Sequence, residues 1–179
     1  GVRNGSEAYI GKNHLMRSGG MPPMIAIRED SSATVIDNTI IGGGVAGIMV
    51  QGTATISGNR FEGNGPRLGG PPNFAAWIQD GSKASFSNNR ASRWRHALFA
   101  SGANQVWATD NTISDFFGSG IVVKKSALPT HVFGNTVLSD KESDQAANVE
   151  GPQGVVRDNV RRTLAAPTSP ANARTPDEE

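Results

Sequence analysis

The sequence predicts an all-β solenoid, a parallel β-helix of about seven coils. Three observations carry this. One asparagine recurs as Asn13, Asn38, Asn59, Asn89, Asn111, Asn135 and Asn159, at spacings of 25, 21, 30, 22, 24 and 24 residues. The residue three places earlier is apolar each time: Ile10, Val35, Ile56, Phe86, Ala108, Val132 and Val156. A second short apolar run lies between successive asparagines. A repeat in the low twenties means stacked structural units.

Each coil divides into three strands. The first precedes the asparagine and the second follows it, with Leu15, Ile40, Phe61, Ala91, Ile113 and Val137 two places on. The third is the run MIAI (24–27), GIMV (47–50), AAWI (75–78), HALF (96–99) or GIVV (120–123). These runs are short, mostly rich in Ile and Val, and bounded by turn residues, which reads as strand. No window of 12 or more residues carries a helical stripe. A leucine-rich solenoid would need several leucines per coil, and the apolar positions here are mostly Ile, Val, Phe and Ala.

The asparagine column has a physical reason. A sharp bend between strands leaves backbone groups unpaired, and a buried asparagine can satisfy them. Stacked about 4.8 Å from its copies, it also bonds along the axis as a ladder. Asp37, Asp110 and Asp158 each precede a ladder asparagine. Their repetition marks turn chemistry rather than a catalytic pair.

The register N-x-apolar, in NTI (38–40), NRF (59–61), NTI (111–113) and NTV (135–137), resembles the right-handed parallel β-helix repeat family. This is the pectate-lyase-like group with NosD-type and CASH-type repeats. The runs GIMV and GIVV match it too, and the resemblance covers roughly residues 8–162. It implies a right-handed coil. It also implies an extracellular polysaccharide-active protein of lyase, epimerase or hydrolase type, acting on an acidic polysaccharide. Calcium enters only through the resemblance, and no calcium motif is matched. Such folds also serve as non-catalytic carbohydrate-binding modules and as structural or assembly elements. Whether the chain is an enzyme stays open at this level.

Composition agrees. The chain has 179 residues, with 22 Gly, 10 Pro and 18% charged residues. Residues 1–162 read as one solenoid domain, possible as part of a longer one, and 163–179 as an Ala/Pro/Thr-rich tail or linker. Arg161 and Arg162 fall where the repeat wants an apolar residue, so the coils are expected to stop there. A net charge of +1 gives no strong attraction to nucleic acid or membrane. The absence of cysteine excludes disulfides and thiolate metal sites. No paired-histidine motif points to a metal. A polysaccharide partner suits a secreted, periplasmic or cell-surface location. The first coil, with Ile10 and Leu15, is expected to be covered by a partner copy or by further coils.

Function must come from side chains the repeat does not need. If Ile25, Ile48, Ala76, Ala97 and Ile121 face inward, the next residues face out. That outward column is Ala26, Met49, Trp77, Leu98 and Val122. Two places on lie Arg28, Gln51, Gln79, Ala100 and Lys124. Apolar and aromatic surface beside amides and cations suits a sugar chain, with Arg28, Met49, Gln51, Trp77, Gln79 and Leu98 as substrate-binding residues. The same stripe also suits a dimer interface or a covering loop. The 30-residue coil carries the insertion GNGPRLGGPPNF (63–74), and insertions often wall a solenoid's binding face. Beside it SRWRHALF (92–99) gathers Arg93, Trp94, Arg95 and His96. A uronide lyase needs a cation to neutralise a carboxylate and a base for the C5 proton. His96, Arg95 and Lys124 are the candidate catalytic residues. His14 and His131 read as turn residues.

GGGVAG (42–47) fits a dinucleotide-binding pattern, but IMVQG follows it as a strand, so no helix N-terminus is there to hold a pyrophosphate.

Overall fold

The computed structural model describes residues 1–66, 71–102, 104–125, 128–152 and 154–164. Residues 67–70 of the insertion, and the expected tail from 165 on, lie outside the described residues. The described residues form a parallel β-solenoid without a helix. Every strand pairing is parallel. Two sheets have seven strands and the third has six, which makes about six complete turns where the seven asparagines suggest seven.

The first sheet runs from Glu7–Gly11 to Gly154–Arg157, and the second from His14–Arg17 to Val160–Arg162. The third stacks Ile25–Ile27, Ala46–Val50, Phe74–Ile78, His96–Ser101, Ser119–Lys124 and Gln145–Val149. Inward columns meet in one core. On the first sheet Ile10, Val35, Ile56, Phe86, Ala108 and Val132 lie in register, and all but Ile10 are buried. On the second, Ile40, Phe61, Ala91, Ile113 and Val137 do the same.

The asparagines stand at the bend between the first and second sheets. Asn38, Asn59, Asn89, Asn111 and Asn135 are each at most 1% exposed. Each Oδ1 accepts the backbone N–H of the asparagine one coil earlier, at 2.9–3.1 Å. Each Nδ2 donates to the next Oδ1 and to a carbonyl of the preceding coil. For Asn111 those acceptors are Asn135 Oδ1 and Phe86 O, both at 2.8 Å. That carbonyl always belongs to the apolar residue three places before the previous asparagine, so the spacing legible in the sequence is a hydrogen-bond register. The residue before each asparagine is left-handed: Lys12, Asp37, Gly58, Asn88, Asp110, Gly134 and Asp158 have φ of 54–68°. Asp and Asn tolerate that region better than most side chains, and glycine does so without strain.

The end coils are less covered. Ile10 and Leu15 are half-buried, and Val156, on an inward column, is 48% exposed. Arg161 continues the inward column of Val137, and its Nη1 donates to Ser139 O at 3.1 Å.

Candidate functional site on the third sheet

The third sheet departs from strict alternation. Gly47, Ala75, Ala97 and Gly120 precede the inward residues Ile48, Ala76, Leu98 and Ile121, and all eight are buried. Two consecutive positions therefore turn inward, and only a small side chain fits the first. A Cβ on Gly47 would stand 2.8 Å from Ala75 O, and one on Gly120 would stand 2.8 Å from Val137 Cγ1. The outward residues come before and after this pair: Phe74 and Trp77 on one coil, His96 and Phe99 on the next.

This corrects the register expected for residues 96–100. Leu98 is 0% exposed and lies in line with Ala76 and Ile121. Phe99 takes the outward place beside Trp77 and Val122. Ala100 faces in, and Ser101 is the register partner of Lys124. The aligning run is ALFA (97–100), and its signal was the small residue shared with Gly47, Ala75 and Gly120. Met49 and Val122 face outward but are only 7% and 5% exposed. The stripe is thus narrower than expected, with Trp77 and Phe99 its half-exposed aromatics.

In place of the stripe there is an aromatic stack. Phe74 and Phe99 have ring centroids 4.5 Å apart at 9°, and the His96 ring lies 5.6 Å from Phe74 at 18°. Trp77 meets Phe74 edge-on at 5.9 Å. Such contacts add about 0.5–1.5 kcal/mol per pair beyond burial.

The insertion shares this face. The Arg95 backbone N–H donates to Asn73 O at 3.0 Å, and Arg95 Nη2 donates to Pro71 O at 3.4 Å. Together with the Phe74–His96 stack, this pins the C-terminal end of the insertion against Arg95 and His96. Segment 71–73 also walls a cleft of about 310 Å³ with Gly19, Gly43 and Asn64. Trp94 does not belong to the site. It is 1% exposed, packed in the core.

His96 is the chemically distinctive residue. Its Nδ1 lies 2.7 Å from Ser119 O. A carbonyl can only accept, so Nδ1 carries the proton and Nε2 of the neutral ring holds a lone pair. Burial lowers its pKa from the usual 6.5, the Ser119 bond opposes this, and the positive charges of Arg95 and Lys124 lower it further. The folded state therefore binds this proton less readily than the unfolded state. This part of the stability is present above pH about 6.5 and is lost as pH falls through the folded pKa. Wild type should lose more stability than His96→Gln on acidification below pH about 6.5. Denaturant midpoints of both proteins across that range provide the check, and parallel curves would show that His96 titrates normally.

Of the remaining predicted residues, Arg28 donates from Nη1 to Gln51 Oε1 at 2.8 Å, Gln79 is half-buried and Lys124 is exposed. Arg28 and Gln51 lie toward the N-terminal end of the sheet, and Arg95, His96 and Lys124 toward the other, so they form one face but not one pocket. His14 and His131 sit in strands, not turns. Sequence reasoning missed the first sheet's outward column. It includes Trp107, 38% exposed, parallel to His131 at 7° with centroids 6.1 Å apart. Alternation around Phe86 and Ala108 was the available signal. Among the described residues no three His, Asp or Glu side chains converge to hold a metal ion. Among the described residues no helix is long and apolar enough to cross a membrane.

The parallel coils, the inward apolar columns and the asparagine ladder define a β-helix protein. Residues 1–157 match the family described as right-handed β-helix region, and the chain belongs to that family. Comparison with curated proteins and with solved structures gave no match.

Proposed function

We propose that this β-helix binds an extended acidic polysaccharide along its third sheet. One observation carries the reading: Trp77 and the Phe74–Phe99–His96 stack share a face with Gln51, Gln79 and Lys124, and Arg95 stands at its edge. Outward side chains repeat about every 4.8 Å along the stack. That spacing is close to the length of one sugar unit in an extended chain, so successive units meet successive coils. Trp77 offers a ring edge and face to a sugar, the amides pair with hydroxyls, and Arg28, Arg95 and Lys124 suit carboxylates. Polymers of this kind lie outside the cytoplasm, which favours a secreted, periplasmic or cell-surface setting.

The state of His96 favours a second reading, in which the same face cleaves or epimerises its ligand. Neutral His96 Nε2 accepts the C5 proton of a uronide, while Arg95 or Lys124 neutralises the carboxylate, and that neutralisation stabilises the carbanion. In a lyase the electron pair then forms the C4=C5 bond, the C4–O bond breaks, and solvent protonates the departing oxygen. In an epimerase His96 keeps the proton it took, and solvent delivers another to the opposite face of C5.

Binding and turnover measured on a panel of uronate-containing and neutral polysaccharides test both. Trp77→Ala should weaken binding about tenfold, equivalent to about 1.4 kcal/mol. His96→Ala should leave affinity within about threefold and remove any unsaturated product. A wild-type protein that neither binds nor cleaves any member of the panel overturns the saccharide reading in favour of an assembly β-helix.

A further inference from the structure

The second sheet carries a charge arrangement that the third-sheet site does not use. Arg60 and Arg90 occupy one outward column on adjacent coils, with Thr112 next in register. The neighbouring column holds Glu62, Ser92 and Ser114. Glu62 already serves two cations, Arg60 at 3.1 Å and Arg93 at 3.7 Å. Arg90 forms no ion pair or hydrogen bond among the described residues, and neither do the hydroxyls of Ser92, Thr112 and Ser114. Like charges directly opposite on neighbouring strands repel. Arg60 and Arg93 share the one carboxylate, and the Arg90 guanidinium is left without it. Arg60, Arg90 and the three hydroxyls line a groove of about 230 Å³ whose floor is Phe61 and Ala91.

We propose that this groove is a separate oxyanion site, which seats one sulfate or carboxylate group. Arg90 supplies a planar fork of donors matched to two oxygens of such a group. Ser92, Thr112 and Ser114 add neutral donors beside it, and the bound charge relieves the Arg60–Arg90 repulsion. The oxyanion is either a free inorganic ion or a substituent on an acidic glycan. The site is independent of the saccharide reading of the third sheet.

Backbone-amide NMR of the full chain, titrated with sodium sulfate against sodium chloride at matched ionic strength, tests it. Sulfate should shift the amides of Arg60, Arg90, Ser92 and Ser114 saturably, and chloride should not. Arg90→Gln should weaken sulfate binding at least tenfold. Glu62→Gln removes the competing carboxylate and should strengthen it about threefold or more, a gain that damage to the fold would not produce. Sulfated and uronate oligosaccharides then separate the sources. Competition with sulfate at lower concentration identifies a glycan substituent, and binding of inorganic sulfate alone leaves the site with the free ion as its ligand. Equal shifts with chloride, or sulfate shifts that persist in Arg90→Gln, overturn the proposal.

Discussion

Asn111→Leu should lower unfolding free energy by about 3–5 kcal/mol, through buried groups left without partners at about 1–3 kcal/mol each. Asn111 Oδ1 accepts from Asn89 N at 3.0 Å and from Asn89 Nδ2 at 3.1 Å. Its Nδ2 donates to Phe86 O and Asn135 Oδ1. Leucine replaces none of these bonds, and the bend is too buried for water to do so at no cost. In a chain of this size each kcal/mol shifts the melting midpoint by about 2–4 °C, so the midpoint should fall by roughly 10 °C. Asn13→Leu is the control. Asn13 is exposed, and only its Nδ2 bonds to Gly11 O and Asn38 Oδ1 are lost. That change should cost about 1 kcal/mol. Equal losses at both positions would show that the ladder is not a buried network.

Gly63→Ala should destabilise by about 3 kcal/mol or more. A Cβ at Gly63 would overlap Arg93 O and stand 2.9 Å from Cδ2 of the buried Trp94. Backbone bonds hold this approach in place, from Gly63 N to Ser92 O at 2.9 Å and from Gly65 N to Arg93 O at 3.0 Å. The coil must therefore part or shift residues 93–96, which also moves His96 from Ser119 O. Denaturant unfolding and the His96 titration should change together. Gly65→Ala separates strain from collision. Gly65 has φ 115° but nothing within 4 Å of the added Cβ, so that change should cost about 1 kcal/mol. A Gly63→Ala protein as stable as wild type would show that this close approach is not rigid.

The periodic elements were legible because each coil repeats the same local problem. An apolar residue three places before asparagine recurs because its carbonyl is a fixed acceptor in the ladder, as Ile56 O is for Asn89 Nδ2 at 3.0 Å. The turn role of Asp37 and Asp110 was legible for the same reason, and φ of 54° and 56° bears it out. The candidate site was only partly legible. Arg95, His96 and the end of the insertion do share a face, as their spacing suggested. Leu98 was misplaced because strict alternation cannot show that two successive residues turn inward. Met49 exposes little because burial depends on neighbours one coil away, which a single strand does not reveal.

From sequence alone the chain is an all-β, asparagine-laddered solenoid with strands before, after and between its asparagines. Those features follow from hydrogen-bond and apolar patterns repeated every 21–30 residues, so each copy reinforces the reading of the others. The tertiary structure decided what occurs once: the Phe74–Phe99–His96 stack, the burial of Trp94, and the adjacent Arg60 and Arg90. Each depends on which residues of different coils come into register. An insertion between Asn59 and Asn89 places Phe74 opposite His96, and only closure of the coils brings those rings into contact.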